Sequence, residues 1–138
     1  MASLEFSVEH DYSAGPDDHT AEIQIRMFPT GGIPIAVTAV LDTGASISIF
    51  DKSLLPLLGI TDVTAGSEFE VMAANNARAK AYAYDVEFEF LGRRMRVLIG
   101  FCPAWPDGTP NLLGMKSFFE QLHVAFKHRE RLALVAFP

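Results

Sequence analysis

The chain has 138 residues, 49% of them hydrophobic and 20% charged, which suits one domain with a modest core and excludes a disordered chain. A net charge of −6, with Lys and Arg dispersed, argues against a nucleic-acid binder, and no apolar run is long enough to span a bilayer. The start, Met1 to Glu5, carries neither a basic segment nor a long apolar core, and the one cysteine, Cys102, leaves no internal disulfide. The expectation is a soluble, cytoplasmic protein.

Residues 3–13 alternate, with Leu4, Phe6 and Val8 on one face, and predict a half-buried strand. Ser13 to Asp18 is dense in turn formers. Thr20 to Phe28 predicts a second strand with Ile23, Ile25 and Met27 on one side. Pro29 to Gly32 is a turn, and Ile33 to Leu41 returns as a third strand. Ile47 to Phe50 is a short strand. Asp51 to Gly59 predicts a short helix with Asp51 as N-cap and Gly59 as stop, its regularity limited by Pro56. Glu68 to Met72 and Arg78 to Phe90 predict two strands joined by a tip at Ala73 to Ala77, where Asn tolerates positive φ. Val86, Phe88 and Phe90 alternate with Glu87 and Glu89, which read as the solvent face. Met95 to Phe101 is a strand, Pro103 to Pro110 a loop, and Asn111 to Gly114 a short strand. Met115 to Leu122 predicts a helix. Val124 to Phe126 and Leu132 to Phe137 are strands around a turn at His128 to Arg131. Many short strands and few helical segments point to an all-β barrel or sandwich.

The stretch Val37 to Phe50 stands apart. Two apolar strands are interrupted by Asp42-Thr43-Gly44-Ala45. A carboxylate between apolar strands costs free energy unless it is hydrogen-bonded, paired or protonated. Gly44 permits a backbone path that a Cβ would obstruct. The loop therefore presents its acid deliberately.

Leu41-Asp42-Thr43-Gly44-Ala45, followed by Ser46 and matched downstream by Leu112-Leu113-Gly114, resembles the retropepsin-like aspartic proteases over roughly residues 20–137. The resemblance implies a retropepsin-like acid-protease barrel with one or two short helices, as a single domain over 1–138 with an N-terminal strand and loop at 1–19. One carboxylate cannot both take a proton from water and give one to the scissile carbonyl, whereas two sharing a proton can. A chain with one Asp-Thr-Gly therefore implies a C2 homodimer with Asp42 of each copy on the axis. Thr43, Gly44 and Ala45 would support the active-site loop, the Thr43 hydroxyl bonding across the dyad. Gly44, Ser46, Ile47, Met72, Ala73, Ala74, Asn75 and Asn76 would bind substrate, and Leu112, Leu113 and Gly114 would run beneath the Asp loop. The implied activity is hydrolysis of peptide bonds by an aspartic endopeptidase. Neither metal nor organic cofactor is implied, and the partners are a second copy and a peptide or protein substrate, with no nucleic acid and no membrane. Leu4 to Val8 and Leu132 to Phe137 are candidate edges for an intersubunit sheet.

Two positions depart from the family pattern. Where it carries an arginine after the second glycine and an acid just beyond the first motif, this chain has Met115 and Ser46, so packing is expected to replace an ion pair. The tip Asn75-Asn76 also lacks the family's glycines. A catalytically inactive dimerisation or peptide-binding module of the same fold is therefore the competing expectation. Cys102 reads as buried packing, Trp105 as packing on an exposed proline-rich loop with a place lining a binding surface as the alternative, and His10, His19, His123 and His128 show no metal-ligand spacing.

Overall fold

The computed structural model describes residues 4–72 and 76–138. β1 (Val8–Asp11) opens the chain, followed by β2 (Glu22–Met27), β3 (Ile35–Leu41), β4 (Ser48–Phe50), β5 (Ser67–Met72), β6 (Arg78–Phe90), β7 (Arg93–Phe101) and β8 (Asn111–Leu113). β9 (His123–Lys127) and β10 (Leu132–Ala136) close it. One sheet runs β2-β3-β8-β4-β7-β6-β5. A further pairing of β2 with β6, through Arg26↔Glu89 and Met27↔Phe88, closes six of these strands into a barrel and leaves β5 outside the ring. The second sheet is β1-β10-β9. The structure is thus an all-β barrel, and no helix of the described residues is long and apolar enough to cross a membrane.

The barrel follows from the alternation. Ile23, Ile25 and Met27 of β2 are buried, and so are Val86, Phe88 and Phe90 of β6. The intervening Glu87 and Glu89 meet Arg94 at 3.4 Å and Arg26 at 3.2 Å on the outside. Those exposed pairs add little stability; the core supplies it. Phe118 fills the interior, edge-on to both Phe90 and Phe119. A smaller cluster of Ile49, Val71, Ala81 and Cys102 lies apart from this core, under the β5–β6 hairpin. Cys102 is buried there, as its sequence context predicts.

Three expectations change. Residues 115–122 do not form a helix. Lys116 instead bridges Ile47 in parallel, Ser117 takes a left-handed conformation (φ +72), and only Phe119–Gln121 forms a single 3-10 turn. The cause is tertiary: the Ser117 hydroxyl accepts the Leu98 N–H of β7 at 2.8 Å, while its own N–H goes to the Glu120 carboxylate. The segment from Asp51 to Gly59 is likewise a 3-10 turn, Lys52–Leu54, followed by further turns. Asp51 caps it and Gly59 (φ +78) ends it, as read, but Pro56 prevents a regular helix. Finally, Leu132 to Phe137 offers no edge. β10 is the middle strand, paired to β1 (Val8↔Val135) and to β9 (Ala133↔Phe126), so the open edges belong to β1 and β9. Leu4, 52% exposed, lies before β1 rather than within a buried face.

Candidate active site

The centre of the site is a three-way backbone crossing. β8 lies between β3 and β4, parallel to β3 (Leu41↔Leu113) and antiparallel to β4 (Ile49↔Leu112). The Asp42 N–H donates to the Leu113 carbonyl at 3.0 Å. After the loop, the Met115 N–H donates to the Ala45 carbonyl at 2.8 Å and the Lys116 N–H to the Ser46 carbonyl at 2.9 Å. The Gly114 N–H donates to the hydroxyl of Ser48, a fully buried polar side chain, at 3.0 Å. The two sequence motifs are thereby one structural unit. A Cβ on Gly114 would lie 2.6 Å from the Ile47 carbonyl and 2.8 Å from the Ala45 carbonyl oxygen, so this approach needs glycine.

Within the loop, Asp42 Oδ1 accepts the Gly44 N–H at 2.9 Å and the Ala45 N–H donates to the Asp42 carbonyl at 3.1 Å. That Asx turn fixes the carboxylate on its own loop. Gly44 needs no left-handed φ here; a Cβ would instead crowd Asp42 Oδ1 at 3.1 Å. Thr43 is exposed beside the acid and does not line the cleft.

Asp42, Gly44, Ala45, Ser46 and Ile47 form one side of a cleft of ≈ 910 Å³. Ile49 and Leu112 add to the floor, and β5 supplies the facing wall through Phe69, Val71 and Met72. Leu113 and Gly114 are buried behind the floor. Asn76, with φ +63, lies on the connection between β5 and β6; the expected substrate-binding residues Ala73, Ala74 and Asn75 lie outside the described residues. Ser46 and Met115 make no ion pair, being neutral. Packing does not replace one either, because Met115 is 48% exposed; backbone hydrogen bonds hold the junction.

Residues outside the two motifs contribute as well, and Trp105 takes both of the places open to it. Trp105 packs against the small cluster and also lines the cleft. Its loop is tied down by Asp51, whose carboxylate accepts the Ser53 hydroxyl at 2.7 Å and the Gly108 N–H at 3.0 Å, while Lys52 Nζ donates to the Pro103 carbonyl at 2.9 Å. Burial works to raise the Asp51 carboxyl. The bonds from Ser53 and Gly108 and the Lys52 charge outweigh it and hold the group below the usual carboxylate value. Ser48 and Lys116 carried no signal beyond their place beside the two motifs. Away from the cleft floor, ligand atoms of Asp17, Asp18 and His19 approach within 4.8 Å of one another on the exposed loop between β1 and β2. Arg131 Nε faces Asp18 at 3.4 Å.

Two outcomes follow from this geometry. Gly114→Ala loses about 2–3 kcal/mol of stability, at the upper end of overpacking costs, because the atoms it meets are backbone; urea unfolding measures it, and a neutral result would contradict the crossing. The second concerns Asp51. With its folded-state value lowered, its contribution is full above the unfolded carboxylate value near 3.9 and is lost as pH falls through the lower folded-state value. The stability gap between wild type and Asp51→Asn should be constant from about pH 7 to 5 and close below about pH 4, as measured by thermal unfolding at each pH.

Neither a family model nor a curated protein matches the sequence. The structure is similar to the crystal structure of a retropepsin-like aspartic protease from Rickettsia conorii, with a TM-score of 0.64 and 21% sequence identity over 94% of this chain and 99% of that one. The closed all-β barrel with its Asp loop crossed by β8 is a retropepsin-like fold.

Proposed function

We propose that the protein is an aspartic endopeptidase that works as a homodimer, with Asp42 of each copy forming the catalytic pair. The observation that carries this reading is the Asp42 carboxylate, fixed by the Gly44 N–H at the side of a cleft large enough for an extended peptide. In this reaction one ionised carboxylate takes a proton from water as the oxygen attacks the scissile carbonyl carbon. The other, protonated, gives its proton to the carbonyl oxygen. Collapse of the resulting diol breaks the C–N bond and a proton passes to the leaving amine. The β5–β6 hairpin serves as a flap over the substrate, which lies between flap and floor in the manner of an added strand. Phe69, Val71, Ile47 and Ile49 favour large apolar side chains at the scissile bond.

One copy supplies one carboxylate, so the second copy completes the site. The surface beside Asp42 suits an interface. Thr43 is exposed, Met115 is 48% and Phe126 38% exposed, and β9, which carries Phe126, has an open edge. Phe126 shares a hollow with Asp42, Thr20 and His128.

Asp42→Asn keeps the shape of the loop but cannot act as a base. It should reduce kcat/KM on an apolar peptide by at least about 10³-fold with unfolding unchanged. Cleavage by Asp42→Asn at the wild-type rate would remove Asp42 from the chemistry and with it this reading, whereas no cleavage by the wild type would leave the non-catalytic module. For the dimer, specific activity should fall on dilution as the dimer fraction falls. Phe126→Asp should raise the concentration of half-dissociation about tenfold or more by placing a charge in an apolar contact. Sedimentation and activity are read on the same samples, and a fully active monomer would contradict the assembly.

A further inference from the structure

We infer that Lys116 forms a subsite for an acidic side chain of the peptide substrate, most closely a glutamate. The inference rests on the peptidase reading for its ligand and on the cleft's own charges for its chemistry. Four charged side chains line the cleft: Asp42, Glu68, Glu70 and Lys116. Asp42 is the candidate catalytic group. Glu68 and Glu70 are already committed, to Lys80 at 3.6 Å and Arg78 at 3.5 Å across the hairpin. Lys116 has no carboxylate within 4 Å among the described residues.

The nearest competitor is Glu120. It shares a hollow with Lys116, Ser46, Met115 and Phe119, but its carboxylate accepts the Ser117 N–H. Glu120 is thus held to the turn by a charge-assisted bond rather than by the ammonium group.

The root of Lys116 is fixed although its side chain is exposed. Its N–H is bonded to the Ser46 carbonyl at 2.9 Å, it bridges Ile47, and the next residue is locked left-handed by its bond to β7. The backbone of Lys116 is therefore held beside Ile47, and its flexible stem carries the ammonium group into the cleft lining from that fixed root. A side chain with an apolar stem and an anionic end matches that pair, its methylenes against Ile47 and its carboxylate at Lys116. In a chain of net charge −6, such a ligand has no general attraction to the protein, so discrimination must come from this local cation.

The test uses apolar-centred peptides carrying Glu or Gln at each successive position on either side of the scissile bond, at about pH 6, where glutamate is ionised. Cleavage is read as kcat/KM. Binding is read independently from Trp105 fluorescence with the Asp42→Asn protein. The expected result is a Glu-over-Gln preference of about fivefold, the size of an ion pair at a partly exposed rim, confined to one position on each side. Lys116→Gln should bring the ratio to about one and Lys116→Glu should invert it. A wild-type ratio near one at every position, or a preference that survives Lys116→Gln, overturns the subsite while leaving the peptidase reading intact. Binding with the expected ratio but no cleavage by wild type supports the subsite and overturns the peptidase. A protein that binds none of the peptides overturns both.

Discussion

The structure depends on three residues of β8 having to satisfy two neighbours at once. Buried backbone groups must find partners. Asn111, Leu112 and Leu113 pair with β3 on one side, Leu112 also pairs with β4 on the other, and Gly114, just beyond the strand, reaches the Ser48 hydroxyl. Because β3 enters the Asp42 loop and β4 leaves it, one short strand fixes both ends of the loop. A shift of β8 by one residue would place a side chain against the carbonyls of Ala45 and Ile47, which only Gly114 can approach. The register is therefore set sterically as well as by hydrogen bonds, and the carboxylate inherits its position from that register.

The facing wall is held differently. β5 is bonded only to β6, and its inner face rests on the small cluster of Ile49, Val71, Ala81 and Cys102 rather than on the main core. Opening the hairpin would break contacts in that cluster without disturbing the aromatic packing of Phe88, Phe90 and Phe118. Elements with few buried partners open at low cost, and the proposed peptidase needs one such element to admit and release its substrate. The fixed floor and the loosely held wall are two consequences of how apolar residues are divided between the clusters.

Much of this was legible in the sequence. The alternation in β2 and β6 gives their inward faces, and an acid between apolar strands marks the loop. Apart from the segment that Pro56 breaks locally, what was not legible comes from contacts between distant parts of the chain. Phe118 and Phe119 continue a helical pattern, but the bond from Leu98 to Ser117 overrides it. β10 reads as an apolar terminal edge because its partner β1 lies at the other end of the chain. Whether Trp105 packs on its loop or lines the cleft is open in the sequence, because the bonds from Asp51 and Lys52 that hold its loop cross from another segment.

The junction of Ser46 and Met115 shows how a fold can keep its geometry while losing an ion pair. A buried or half-buried pair gains attraction but loses hydration, and replacing both partners is often nearly neutral, whereas removing one leaves an uncompensated charge. Here both positions are neutral, so no charge is stranded. What positions the junction is the pair of backbone bonds, Met115 to Ala45 and Lys116 to Ser46. Those bonds depend on chain path rather than side-chain identity, which frees both side chains for other uses. Met115 turns outward as exposed apolar surface beside the Asp loop, and the cation next to it, Lys116, lines the cleft. A charge without a structural partner among the described residues is available to select a ligand, and in the proposed subsite its cost of desolvation is met only when an anionic group arrives.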